Sequence, residues 1–104
     1  MKAVVLESYG EPEVLKVTTV PEPKPGPDEV IVAIAASALN RADLLQRRGG
    51  YPGPKLVYGD RTLDIPGMEL SGNVIELGAR VTEFELHQTV MAIVSGGGYA
   101  VAAY

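Results

Sequence analysis

The 104 residues predict a mainly β domain, a small bent barrel or sandwich, with one short helix. Three observations carry that prediction. Apolar, β-branched runs are short and are separated by Gly and Pro. Only residues 40–48, "NRADLLQRR", have helical character. Three glycines, Gly67, Gly72 and Gly78, interrupt a run that otherwise reads as strand.

Residues 2–7 form a first strand, a Tyr9-Gly10-Glu11-Pro12 turn follows, and residues 14–20 form a second strand with Leu15, Val17 and Thr19 on one side. Residues 21–29 hold four prolines in nine positions. Repeated loss of the backbone donor and a fixed φ make this an extended surface connection, too close to the start to separate domains. "VIVAIAA", residues 30–36, is nearly continuous in small and β-branched apolar residues, the pattern of a strand buried on both faces. Asn40 can accept from the N–H of residue 42 or 43, so it caps a two-turn helix that Gly49-Gly50 stops. Residues 51–67 read as a long loop, with three prolines and three glycines. Residues 68–77 and 89–94 are further strands, residues 95–98 a glycine-rich turn, and residues 99–104 a last strand.

Composition narrows the function classes. A net charge of −4 and no basic stripe beyond Arg47-Arg48 argue against a nucleic-acid partner. No apolar run approaches the roughly 20 residues of a membrane-spanning helix. The N-terminal "MKAVVLES" lacks the form of a signal peptide, so a cytoplasmic location is expected. The chain has no cysteine, which removes disulfides, thiolate chemistry and Cys-ligated metals together.

Glycine inside a strand costs conformational entropy and marks a bulge, a bend or a close backbone approach. Three of them predict a strongly curved strand. Glu69 beside the first bend needs a partner if buried and is incidental if exposed. The spacing is not a dinucleotide fingerprint, which requires G-x-G-x-x-G entering a helix.

Gly67-x-Glu69-x-x-Gly72, then Gly78 after five residues and Val81 after two more, resembles the N-terminal signature of the medium-chain dehydrogenase/reductase superfamily. "MKAVVLESYGEPEVLKV", "PGPDEVIVAIAASALNRADLLQRRGGYPG" and "TVMAIVSGGGYA" resemble further blocks of that family, in the same order and over nearly the whole chain. "ASALNRADLLQRRGGY" is most similar to the zinc-free, zeta-crystallin-like quinone oxidoreductases. The resemblance implies a GroES-like fold, a bent and partly open β-barrel.

Departures from the zinc-dependent relatives point the same way. Met68 stands where they carry a histidine and Asn40 where they carry a cysteine, whereas the acid three residues on remains as Asp43. His87 is the only histidine, in "ELHQT", where relatives usually carry a Gly-Asp turn. No metal site is expected. The resemblance implies reduction of quinones or enones by NADPH. It places Asn40 at the nicotinamide end of the cofactor and Tyr51 over the substrate, as an aromatic wall and phenolic donor. Each also has a plain structural reading: Asn40 as helix cap, Tyr51 as a turn aromatic. Asp43 would support the first helical turn through the helix dipole, and Glu69 is assigned no catalytic part.

In the resembling family the nicotinamide sits in a separate Rossmann domain, and later strands complete the barrel. Residues 1–104 are therefore expected to be an incomplete GroES-like domain, inactive alone. The alternative is a GroES-like binding or scaffold module that self-associates through open strand edges.

Overall fold

The computed structural model describes residues 1–51 and 53–103. Strands β1 (Lys2–Leu6) and β2 (Leu15–Thr19) form an antiparallel hairpin joined by a short 3₁₀ turn, Pro12–Val14. After the proline-rich connection come β3 (Val30–Ala38) and helix α1 (Arg41–Arg48). β4 (Leu56–Tyr58) and β5 (Arg61–Leu63) pair as a second hairpin; β6 (Glu69–Leu77), β7 (Thr89–Ile93) and β8 (Ala102–Ala103) complete the chain. The main sheet has the order β7-β6-β3-β8, all antiparallel. The architecture is mainly β with one short helix, and the sheets do not close into a barrel.

Two apolar clusters hold the sheets together. Ala3, Val5, Val20, Tyr58, Leu63 and Ile65 pack beneath the first hairpin. Val32, Leu70 and Ala103 pack on the main sheet with Ile34, Val90 and Val94.

The three glycines have three separate causes. Gly67 has φ +102, a left-handed conformation that favours glycine. Gly72 faces Ile34 beside an irregularity in the β3–β6 register, and a Cβ there would lie 2.9 Å from the Ala33 carbonyl carbon and closer still to its oxygen. Gly78 lies against the carbonyls of Gly26, Pro27 and Glu29, and its N–H donates to Glu29 O at 2.8 Å. Gly67 thus turns the chain into β6, while Gly72 and Gly78 let it and its end approach neighbouring backbone closely.

Three expectations are corrected. The strand from residue 30 is buried on both faces only at Ile31 and Val32; it runs on to Ala38, and its last four residues are exposed. The outer face of β3, β6 and β7 is uncovered along this end, with Met91 at 86% and Ile93 at 76% exposure. Residues 51–67 are not all loop, because Gly59, at φ +62, turns the β4–β5 hairpin. The expected last strand shortens to Ala102–Ala103, and its final residue, Tyr104, lies outside the described residues.

The change at His87 has a conformational cost. His87 has φ 70, where a glycine would be unstrained. Its N–H donates to Val74 O at 2.7 Å and its C=O accepts from Asn73 Nδ2, so the backbone is held there regardless of the side chain. His87→Gly is expected to raise stability by roughly 0.5–1 kcal/mol, the left-handed penalty less the entropy of glycine. Urea denaturation followed by circular dichroism measures the difference.

Candidate active site

Helix α1 is unusual in what it buries. Its inward stripe is Asp43, Gln46 and Arg47, at the i, i+3, i+4 spacing of one face, while Leu44 is exposed. Buried polar groups need partners, and each of these reaches another segment. Gln46 Nε2 donates to Asp64 Oδ1 at 2.6 Å, and Arg47 Nη1 donates to the Gly10 carbonyl. Asp43 gathers three donors. Its Oδ2 accepts from the Asn40 N–H at 2.9 Å and the Tyr99 hydroxyl at 2.7 Å, and its Oδ1 accepts from the Gly67 N–H at 3.2 Å.

The carboxylate thus joins the start of α1, the Gly67 bend and the 95–99 turn. The last two are also laced together directly. Gly97, Gly98 and Tyr99 donate to Ile65 O, Gly67 O and Pro66 O at 2.8, 2.9 and 3.0 Å, and Ser37 Oγ donates to Gly98 O. Burial, the hydrogen bond to Asp43 and the Asp43 charge push the Tyr99 phenol well above its ordinary value of 10.0, so it remains a neutral donor.

Asn40 is the N-cap residue of α1, with extended backbone. Its Nδ2 is buried and has no hydrogen-bond partner among the described residues. Tyr51 is 42% exposed and lines a cavity of about 70 Å³ with Asp43, Gln46, Met68 and Ser95. Asn40 does not line that cavity; its N–H donates to Asp43, which does. A second, open trough of about 520 Å³ runs over the exposed outer face between Ala38, Glu69 and Ile93. Among the described residues no three His, Asp or Glu side chains converge as a metal site, and no helix is long and apolar enough to cross a membrane. Tyr99 and the gathering role of Asp43 escaped the sequence reading, which gave Asp43 only a helix-dipole role. Their positions are 56 residues apart, and no local spacing joins them.

Residues 26–102 match the alcohol dehydrogenase GroES-like domain, and the chain belongs to that family, part of the medium-chain dehydrogenase/reductase superfamily. It is 38% identical over 93 residues to the acryloyl-coenzyme A reductase of Sulfurisphaera tokodaii, covering 89% of this chain and 25% of that protein. It is 37% identical over 89 residues to a quinone oxidoreductase of Pseudomonas aeruginosa, covering 86% and 26%. The fold is similar to the crystal structure of the human synaptic vesicle membrane protein VAT-1 homolog-like protein, with TM-score 0.85 and 32% identity over 99% of this chain and 31% of that one. The chain spans about a quarter of the length of these curated relatives, and the family's enzymes are oxidoreductases.

Proposed function

We propose that this chain is the substrate-side domain of a zinc-independent, NADPH-dependent quinone or enone oxidoreductase. The observation that carries the reading is the buried Asn40 Nδ2, without a hydrogen-bond partner among the described residues, on the residue whose N–H is held by Asp43 of the cavity that Tyr51 lines. A buried donor without an acceptor costs about 1–3 kcal/mol, which a ligand's carbonyl or carboxamide oxygen would relieve. Such an oxygen is present on the nicotinamide carboxamide and on the substrates of this reaction class, so the donor fits the cofactor. NADPH, held mainly by a separate domain, supplies the hydride. Asn40 fixes the nicotinamide end through its amide. The Tyr51 phenol covers the substrate and donates to the oxygen on which charge develops. Met68 and Asn40, in place of the histidine and cysteine of zinc-dependent relatives, support chemistry without a metal.

The chain alone is expected to give no NADPH oxidation with a quinone, followed at the nicotinamide absorbance; clear turnover would overturn the division of labour. In a polypeptide that joins it to a Rossmann domain, turnover is expected to survive chelators. There Asn40→Ala is expected to lower kcat/KM by roughly 10–100-fold, about the loss of one positioned donor. A second reading, a scaffold that associates with its own copies, is favoured by the uncovered outer face at Met91 and Ile93. A monomeric mass for the isolated chain in the same preparation speaks against it.

A further inference from the structure

We propose that Asp43 and Tyr99 are a positioning pair for Asn40: the Tyr99 hydroxyl steadies the carboxylate oxygen that also holds the Asn40 N–H, and so sets where the Asn40 carboxamide is presented. The proposal rests on the cofactor role given to Asn40 above, and adds two residues to which no part in the chemistry has been assigned. Two features of the geometry carry it.

One oxygen, Asp43 Oδ2, takes both bonds, from Asn40 at 2.9 Å and from Tyr99 at 2.7 Å. A shift of that atom moves the backbone from which the Asn40 side chain springs. Tyr99 is itself held against the Gly67 bend at both its backbone and its ring. Its N–H donates to Pro66 O, and a Cβ on Gly67 would lie 2.6 Å from its ring. The pair therefore transmits the position of the Gly67 bend and the 95–99 turn to the helix start. The raised phenol stays protonated at neutral pH, so the bond to the carboxylate persists. Neither Asp43 nor Tyr99 needs to touch the reacting atoms. Both act through Asn40.

The test compares the ¹⁵N-labelled chain, joined to a Rossmann domain in one polypeptide, with its Tyr99→Phe variant by NMR, reading the Asn40 backbone and side-chain amide signals, with NADPH at millimolar concentration as the added probe. Tyr99→Phe keeps the ring and removes only the hydroxyl. It is expected to move both Asn40 signals while those of β4 and β5 hold still, and to weaken the NADPH response of the Asn40 amide several-fold. Asp43→Asn, which keeps an acceptor oxygen, is expected to bring the Tyr99 titration, read at its ring ¹³Cζ, down towards its ordinary value. Unmoved Asn40 signals in a folded Tyr99→Phe chain would overturn the positioning pair. So would a Tyr99 titration indifferent to Asp43→Asn. If NADPH leaves the parent chain's Asn40 signals in place while Tyr99→Phe moves them, the cofactor role of Asn40 fails and the pair's hold on it is upheld.

Discussion

Gly72→Ala is expected to destabilise the chain by on the order of 3–5 kcal/mol, against the 5–15 kcal/mol that holds a typical domain. The reason is backbone and not packing of a side chain. The added methyl would overlap the Ala33 carbonyl oxygen, with the Ala33 carbon at 2.9 Å and Val32 Cγ1 at 3.0 Å. A flexible side chain could turn away; a carbonyl inside the β3–β6 ladder cannot move without breaking the hydrogen bonds that define the sheet. The β3–β6 pairing is also the spine of the main sheet, since β7 and β8 attach to its two sides. Gly50→Ala is the matched control. A Cβ there meets only Leu45 O, at an ordinary 3.7 Å, and little change is expected. Urea unfolding monitored by circular dichroism measures both. A Gly72→Ala chain as stable as the parent would mean that the two strands do not approach as described.

Asp43→Ala is the second large effect, at roughly 2–4 kcal/mol of stability. It strips the acceptor from the Gly67 N–H, the Asn40 N–H and the Tyr99 hydroxyl at once, and donors left buried without partners cost more than the bonds contributed. Asp43→Asn, which retains an oxygen, is expected to lose less. The pH dependence follows from Tyr99. Its phenol titrates higher in the folded chain than in the unfolded one, so its contribution is fully present below pH 10.0. Above that pH the unfolded state ionises first, and stability falls by up to about 1.4 kcal/mol per pH unit until the folded phenol also ionises. Tyr99→Phe is expected to remove this alkaline branch, and Asp43→Asn to shorten it, because the carboxylate charge no longer adds to burial in raising the phenol. Thermal melts between neutral pH and pH 11 decide it. An alkaline fall of the same slope in Tyr99→Phe would locate the titration elsewhere.

Much of the local structure was legible in the residues. Pro and Gly mark the connections and the β-branched runs mark the strands, because both act through the φ and ψ of their own position. The helix boundaries at Asn40 and Gly49 follow from capping chemistry, which spans four residues. The ordered blocks from Gly67 to Val81 and around Asn40 were enough to place the chain in its family, since they are fixed spacings along one chain.

Other features needed the folded chain. "VIVAIAA" has the composition of a strand covered on both faces, yet nothing in these residues covers its far end, and coverage is a property of neighbours and not of the run itself. The β4–β5 hairpin hid among prolines because three-residue strands carry too little pattern to announce themselves. Nothing in "NRADLLQRR" told which face turns inward; the stripe of Asp43, Gln46 and Arg47 does, because Gly67, Asp64, Gly10 and Tyr99 offer complementary groups there.

The sequence by itself determined the β class, the single helix, the special backbone positions at Gly67, Gly72 and Gly78, and the family, all through steric and hydrogen-bonding preferences that act within a few residues. Only the tertiary structure decided that Asp43 gathers Asn40, Gly67 and Tyr99 around one carboxylate. A buried charge chooses its partners by distance in space, and donors 24 and 56 residues away along the chain come within reach only once the sheets have packed.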